Sequence, residues 1–130
     1  MAKKTEDKYV ATTVELLEAI LHELKRAGEV EASAIVSRDG LLIASDIPKG
    51  VHAETFAAMT ATMLGAAETA TSEFKKGVPE RVIIESKDGK VIASGAGPKA
   101  LLVVMTSPRA GLGLVLVEMA KASEKVKGLL

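Results

Sequence analysis

The chain contains no cysteine, which excludes disulfide bonds, thiolate nucleophiles and cysteine-ligated zinc or iron–sulfur sites. Tryptophan is also missing, and tyrosine and phenylalanine occur only as Tyr9, Phe56 and Phe74. Because 48% of the residues are nonetheless hydrophobic, the core must be built from aliphatic side chains. Aromatic platforms on which nucleic-acid bases stack are therefore not expected.

The formal net charge is zero, since 17 lysines and arginines balance 17 aspartates and glutamates. A zero balance removes the electrostatic attraction on which non-specific binding to nucleic acid or to an anionic membrane depends. The longest stretch without a charged residue, residues 55–67, is much shorter than the roughly 20 apolar residues that span a bilayer. We therefore expect a cytoplasmic protein with no membrane span and no nucleic-acid partner.

The length of 130 residues fits one domain. The polar start of the chain predicts a flexible tail over residues 1–11, followed by a single domain over residues 12–130. Thr12 and Glu15 have the spacing of a capping box, and the apolar residues after them recur at helical intervals up to Gly28, a natural helix stop.

Further along the chain, apolar patterns predict strands at residues 32–37, 41–45, 81–86, 90–94 and 100–106, and a long helix at about 53–76. A last helix is clear from Glu118 onward, while residues 112–117 fit either a strand or a helix, and we interpret them as helix. The order α-β-β-α-β-β-β-α predicts an α+β fold, in which a five-stranded antiparallel sheet carries helices on both faces. The near-continuous apolar run at residues 100–106 is typical of a central strand that is buried on both sides.

Two hairpins in the predicted sheet resemble each other. The segments SRDGLLIAS, from Ser37, and SKDGKVIAS, from Ser86, both carry an Asp-Gly pair between β-prone runs. Such pairs favour a tight type I′ turn, whose central residues need positive φ angles. The likeness has two explanations, shared turn chemistry or an ancient duplication, and the first is the simpler.

The long helix has no charged residue on any face between Phe56 and Ala67. One stripe is expected to face the sheet: Phe56, Met63, Ala67, Ala70 and Phe74. A second stripe has no intramolecular partner in so small a domain: Ala58, Met59, Thr62 and Ala66. An exposed apolar face usually marks a protein contact, so this stripe favours self-association or partner binding. The alternative is that loops or helix ends cover it.

The strand that follows the long helix points to self-association as well. If residues 81–85 lie at a sheet edge, their unpaired amides can accept another strand. An antiparallel self-pairing centred on Ile83 sets Arg81 opposite Glu85 of a second copy, twice by symmetry. The predicted dimer interface on this strand is Arg81, Val82, Ile83, Ile84 and Glu85.

No catalytic constellation is recognisable in the sequence. His22 and His52 have no ligand partner at metal-binding spacing, and the glycine pairs near residues 95 and 111 lack the pattern of a phosphate-binding loop. Arg38 and Arg109 are arginine-finger candidates only because they are cations. We therefore predict no catalytic residue, no metal and no cofactor, which favours a non-enzymatic protein.

The ordered set of these features resembles the roadblock (dynein light chain) family. Residues 34–45, AIVSRDGLLIAS, are similar to the first hairpin of that family, with its apolar strand, Asp-Gly turn and Ile-Ala-Ser end. The alanine-rich helix, the second Asp-Gly hairpin, the apolar strand at 101–105 and the GLGL entry to the last helix follow in the expected order. The resemblance covers residues 12–128.

The resemblance implies a roadblock, profilin-like fold and a homodimer or heterodimer, whose sheets join through the third strand and whose middle helices lie side by side. Family members act as scaffolds or regulators of Ras-like small GTPases or as dynein light chains, and a prokaryotic type regulates a polarity GTPase. The implied partner-binding residues on the helix are Met59, Thr62, Met63 and Ala66. The alternative is a small-ligand sensor with a profilin- or PAS-like sheet, which needs an interior pocket with convergent polar groups.

Overall fold

A computed structural model of the chain describes residues 11–26 and 29–130. The helices are α1 (Thr13–Lys25), α2 (Ala53–Glu73) and α3 (Leu112–Leu129). The strands are β1 (Val30–Ser37), β2 (Leu42–Asp46), β3 (Arg81–Ser86), β4 (Gly89–Gly95) and β5 (Ala100–Thr106). The ambiguous residues 112–117 are helical, as interpreted from the sequence. The predicted tail lies, apart from Ala11, outside the described residues.

The five strands form one antiparallel sheet in the order β2-β1-β5-β4-β3. The apolar strand β5 lies in the centre between β1 and β4, as its sequence predicted, and six of its seven residues are buried. β3 lies at an edge of the sheet and pairs only with β4 among the described strands. The α+β class, the element order and the antiparallel sheet are therefore confirmed.

Helices cover both faces of the sheet and divide the core in two. On one face, α1 and α3 pack against the sheet through an aliphatic cluster that includes Leu17, Leu21, Ile35, Ile92, Leu102, Met119 and Val126. On the other face, α2 packs alone, through Ala57 and Leu64, against a cluster that includes Ala34, Val36, Ala93, Leu101 and Val103. Successive strand residues point to opposite faces, so each central strand contributes to both clusters.

The start of α1 follows the sequence prediction closely. The Thr12 hydroxyl accepts a hydrogen bond from the Glu15 backbone amide at 3.1 Å, and the Glu15 carboxylate accepts one from the Thr12 amide at 2.8 Å. This is the reciprocal capping box, which satisfies two amides that the first helical turn leaves unpaired. The helix ends at Lys25, and the predicted stop at Gly28 lies outside the described residues.

Both Asp-Gly pairs form hairpins, but the predicted type I′ turn is wrong in both. In the first hairpin Asp39 keeps a negative φ, only Gly40 has a positive φ, at 91°, and the Gly40 amide donates to the Ser37 carbonyl oxygen. This is a type I turn followed by a left-handed glycine. In the second hairpin the loop is Lys87-Asp88, and Gly89 already belongs to β4.

Gly89 is required there for close approach, since a Cβ atom would lie 2.6 Å from the Thr106 carbonyl oxygen. The glycine of the second Asp-Gly pair is therefore explained by its close contact with β5. It is not explained by the positive φ that a type I′ turn requires.

The end of α2 gives a testable stability effect at Lys75, which has a φ of 54° just after the helix. Left-handed backbone is costly for residues with a Cβ atom and nearly free for glycine. We expect the free energy of unfolding of Lys75→Gly to be about 1 kcal/mol higher than that of Lys75→Ala. Both substitutions remove the same charge, so chemical denaturation of the pair isolates the backbone term. Equal stabilities would contradict the prediction.

Candidate functional site

The rotation of α2 on the sheet differs from the prediction. The residues of α2 that are fully buried are Ala57, Thr60 and Leu64, with Phe56, Met63 and Ala67 half-buried beside them. Ala70 and Phe74 do not face the sheet, because Ala70 is exposed and Phe74 is 77% exposed beyond the last helical turn. The helix has no charged face to mark its outside over residues 56–67, so the apolar pattern did not fix its rotation.

The opposite face of α2 is exposed, and the predicted second stripe lies there. Ala58, Met59, Thr62 and Ala66 are all exposed, and Met59 retains 59% of its accessible surface. The Thr62 hydroxyl donates to the Ala58 carbonyl oxygen at 2.9 Å. Since that bond satisfies the hydroxyl inside the helix, Thr62 adds little polarity to the surface. The result is an uncharged face of mostly small residues, with Met59 as its largest side chain.

The edge strand β3 provides the second candidate surface. Arg81 is exposed, Ile83 and Ile84 are 37% and 41% exposed, Glu85 is exposed, and Val82 is half-buried. The side chains of Val82 and Ile84 are on the side of α2, because Val82 packs in the α2 cluster and strand residues alternate. Arg81, Ile83 and Glu85 point to the side of α1 and α3.

The backbone hydrogen-bonding groups of β3 also alternate along the strand, between the side of β4 and the free edge. The Ala96 amide donates to the Ala100 carbonyl oxygen across β4 and β5, so the even-numbered residues of β4 bond toward β5 and the odd-numbered ones toward β3. Through the register of β3 with β4, Val82 and Ile84 then bond to β4. The amides and carbonyls of Arg81, Ile83 and Glu85 are left facing the free edge.

The structure brings some of the predicted residues together and keeps others apart. Met63 and Val82 pack in the same cluster, which joins the middle of α2 to the edge strand. Ala58 lies elsewhere, against the β1–β2 turn, where a Cβ atom on Gly40 would come within 3.3 Å of the Ala58 Cα. The strands β1 and β2 are separated from β3 by β5 and β4. Of the predicted interface residues, Ala58 therefore lies beside the β1–β2 hairpin, away from the edge strand β3.

Sequence reasoning missed a cleft of about 580 Å³ at the end of the sheet where β3 begins. Its lining comes from the second half of α2, the segment before β3, the end of β4 and α3, including Leu64, Glu68, Val78, Arg81, Ser94, Leu116, Met119 and Ser123. The hydroxyl oxygens of Ser94 and Ser123 are buried there and have no hydrogen-bond partner in the described chain. No local motif could have revealed the cleft, because its residues are far apart in the sequence.

One rim of the cleft is fixed by Arg38, from the first hairpin turn. Its guanidinium donates to Glu68 at 3.2 Å and to the Gly97 carbonyl oxygen at 3.0 Å. Gly95 leaves room for it, since a Cβ atom there would lie 2.9 Å from Arg38 Nη2. These bonds tie the turn, α2 and the loop after β4 together. Arg38 is therefore committed within the chain and is a poor arginine-finger candidate, whereas Arg109 is exposed.

Among residues 11–26 and 29–130, the remaining polar groups do not converge on a reactive centre. The His22 imidazole lies 3.3 Å from the Asp46 carboxylate, which also lies 3.5 Å from Lys25, so this group ties α1 to β2. In the described residues, no three acidic or histidine side chains are grouped so that they could hold a metal ion. None of the described helices combines the length and apolarity that crossing a membrane requires.

Comparison with known sequences places these features in a family. The sequence model of the Roadblock/LC7 domain matches residues 16–106, which contain most of α1, the whole sheet and α2. An uncharacterised protein of Methanocaldococcus jannaschii is 37% identical over 114 residues, covering 88% of this chain and 99% of that protein.

Solved structures share the fold. The gliding protein MglB of Thermus thermophilus has a TM-score of 0.84 at 21% identity and covers 93% of both chains. A profilin of Schizosaccharomyces pombe has a TM-score of 0.65 at 13% identity, covering 87% of this chain and 98% of that one. Identities this low show the fold alone, and they confirm that it is roadblock and profilin-like. Because the family model spans most of the chain and the archaeal relative exceeds one-third identity, this chain belongs to the Roadblock/LC7 domain family.

Proposed function

We propose that the protein is a non-enzymatic, cytoplasmic homodimer that binds and regulates, or scaffolds, a Ras-like small GTPase. The observation that carries the proposal is an uncharged exposed face on α2 beside an edge strand with unpaired backbone groups. Membership of the Roadblock/LC7 family supports the choice of partner class, since the resemblance implies regulation of such GTPases. The proposal has two parts, the pairing of β3 with itself and the use of the α2 face.

The self-pairing of β3 has one favoured register. Residues 81, 83 and 85 face the free edge, and a two-fold axis at Ile83 pairs all three with residues 85, 83 and 81 of the second copy. An axis at Val82 would set Glu85 opposite Pro79, which has no N–H to donate. An axis at Ile84 would set Arg81 opposite Lys87, which already belongs to the hairpin loop. The Ile83 register therefore forms the most backbone hydrogen bonds.

The same register also pairs side chains well on both faces of the joined sheet. On the α2 face, Val82 lies opposite Ile84 of the second copy, which buries aliphatic surface that each copy alone leaves partly exposed. On the other face, Arg81 lies opposite Glu85. Two-fold symmetry repeats each of these contacts.

The charge pairing leads to a specific prediction for Arg81 and Glu85. Reversing either charge replaces two attractive contacts with two repulsive ones, so Arg81→Glu or Glu85→Arg alone should weaken the dimer roughly tenfold, and the double reversal should restore it. Analytical ultracentrifugation measures the dimer dissociation constant. Lys49→Glu, in the exposed loop before α2, is the control and should change nothing. A dimer that is indifferent to both single reversals would refute this register.

The exposed face of α2 is the proposed contact for the GTPase, through Met59, Thr62 and Ala66, together with the half-buried Met63 beside them. Dimer formation through β3 sets two α2 helices on the same side of one continuous sheet, which doubles the uncharged surface. Its lack of charge suits a partner that buries it, because burial of unpaired charges is costly. The part of this face nearest β3 can be covered by the second copy, whereas Ala58, beside the β1–β2 turn, is then available to the partner.

Capture of a partner from a lysate tests the proposed activity. The purified protein, immobilised, is expected to retain a small GTPase, and the amount retained is expected to differ between GDP and a non-hydrolysable GTP analogue. If capture does not depend on the nucleotide, the result supports a scaffold for the GTPase and contradicts a regulator of it. A monomer in light scattering, combined with a small molecule that co-purifies, would favour the sensor alternative.

A further inference from the structure

The cleft at the start of β3 connects the two halves of the core at one end of the sheet. Leu64 on its α2 side belongs to one apolar cluster, and Met119 on its α3 side belongs to the other. Its volume of about 580 Å³ is in the range of pockets that hold small organic molecules. We infer that this cleft binds a small aliphatic carboxylate, whose carboxylate group is held by Arg81, Ser94 and Ser123. The inference does not depend on the proposed function, because a single chain forms the whole cleft.

Two serine hydroxyls of the cleft lack a partner within the described chain. The oxygens of Ser94 and Ser123 are buried and form no hydrogen bond there, although both residues line the cleft. Leaving a buried hydroxyl without a hydrogen bond is costly, and folded proteins contain few such groups. Both residues are only half-buried, and serine has three staggered rotamers, so a single side-chain rotation is expected to bring either hydroxyl to a ligand in the cleft.

The sheet register places Arg81 beside Ser94. The two residues lie directly opposite each other on β3 and β4, in a pair whose Cβ atoms are typically about 5 Å apart. They are on the side of α3, because Ile92 packs in the cluster below α1 and α3 and strand residues alternate. Ser123 belongs to α3, one turn after Met119, which packs in that same cluster. The arginine and both serines therefore approach the cleft from the same side of the sheet.

The charged side chains of the cleft favour an anion inside it. Arg81 is 40% exposed, and its one ion-pair contact within the described residues is a long one of 3.7 Å to Glu80, which is 85% exposed. Glu124 is exposed as well, so solvent screens both carboxylates at the mouth. Arg38 and Glu68 neutralise each other at 3.2 Å. The guanidinium of Arg81 therefore keeps donors for a ligand carboxylate, which arginine binds through two parallel hydrogen bonds.

The rest of the lining fits an aliphatic body attached to that carboxylate. Leu64 and Met119 are buried at the inner wall, Leu116 is half-buried, and Val78 is 80% exposed beside them. An alkyl chain along this wall would cover apolar surface that is otherwise in contact with water. The lining residues that the structure describes include no aromatic side chain, so a nucleobase would find no ring to stack on.

Titration of the full-length protein with sodium octanoate tests the inference. We expect saturable binding with a dissociation constant of about 0.1 mM. Octylammonium has the same alkyl chain with the opposite charge, and inorganic phosphate is an anion without the chain, so each should bind at least tenfold more weakly. In ¹H–¹⁵N spectra, the amide shifts should concentrate at residues 81, 94 and 123. Octylammonium binding as tight as that of octanoate would overturn the inference. It would also be overturned by a lack of saturable octanoate binding, or by shifts confined to the separate groove between α1 and α3, at Leu16 and Ile20.

Serine-to-alanine variants separate ligand binding from folding. Ser94→Ala and Ser123→Ala should each weaken octanoate binding about tenfold, because each removes a hydrogen bond to a charged group. Neither should lower the melting temperature, since the lost hydroxyl has no partner in the described chain. Ser33→Ala is the matched control and should bind octanoate normally, because Ser33 also has a buried hydroxyl without a partner there but lies outside the cleft. Wild-type affinity in both cleft variants would contradict the inference.

Arg81→Gln keeps the inference distinguishable from the proposed function. The variant should lose saturable octanoate binding, and it also loses the proposed contact with Glu85 of a second copy. Wild-type octanoate affinity in this variant overturns the inference, whatever its oligomeric state in light scattering. If octanoate binds as expected and the wild-type protein is a monomer, the proposed function fails and the inference stands.

Discussion

Replacing Ile83 with proline is expected to convert the dimer into a folded monomer. The Ile83 amide faces the free edge of β3, so the chain's own ladder does not use it, and proline is tolerated at such edge positions. In the proposed dimer that amide lies next to the two-fold axis and donates to the same residue of the second copy. Proline removes both symmetric bonds and inserts its ring between the strands, so we expect the dissociation constant to rise about 100-fold or more.

The neighbouring position provides the matched control. Val82→Pro removes an amide that bonds to β4, so this variant should lose stability within the single chain, as a fall in the melting temperature. Ile83→Val keeps the amide and should keep the dimer. Light scattering separates the oligomeric states, and circular dichroism shows whether the fold survives. A dimer of wild-type affinity in Ile83→Pro would exclude edge pairing through β3.

The element order was predictable because most segments bury one face and carry clear end signals. Helix α1 has a capping box and a polar outer face, and β5 is apolar throughout, so both were placed correctly. The edge position of β3 was predictable for a related reason. Arg81 and Glu85 would be costly in a central strand, and both are exposed where they stand.

The rotation of α2 and the cleft were not predictable from pattern alone. An uncharged helix offers no contrast between inside and outside, and the buried position of Leu64 is decided by the sheet beneath it, through contacts with residues far away in the chain. The cleft depends on Arg38 reaching Glu68 and Gly97, which are 30 and 59 residues further along. Such pairs leave no periodic signal in the sequence. Asp-Gly pairs likewise predicted hairpins but not their turn type, since neither Asp39 nor Asp88 has a positive φ. Gly89 is instead needed for its close approach to β5.

Placing two carboxylates on the outer face of α2 is the other change from which we expect a large effect. In the double variant Met59→Glu/Ala66→Glu, a partner that covers this face would bury unpaired charges, at a cost of several kcal/mol. We expect the dimer to dissociate at micromolar concentration and capture of the GTPase to fall below detection. The single chain should remain folded, because both positions are exposed and glutamate is a good helix former.

A matched pair on α3 separates burial from simple loss of hydrophobicity. Leu114 and Val117 are 58% and 53% exposed, as Met59 is, but lie on the opposite side of the sheet, outside the proposed contacts. Leu114→Glu/Val117→Glu adds the same charge to the chain and should leave both dimer and capture unchanged. If the α2 variant keeps its dimer but loses the GTPase, the outer face belongs to the partner, and β3 alone joins the two copies. If it keeps both, the uncharged face of α2 is not an interface, and its lack of charge needs another physical cause.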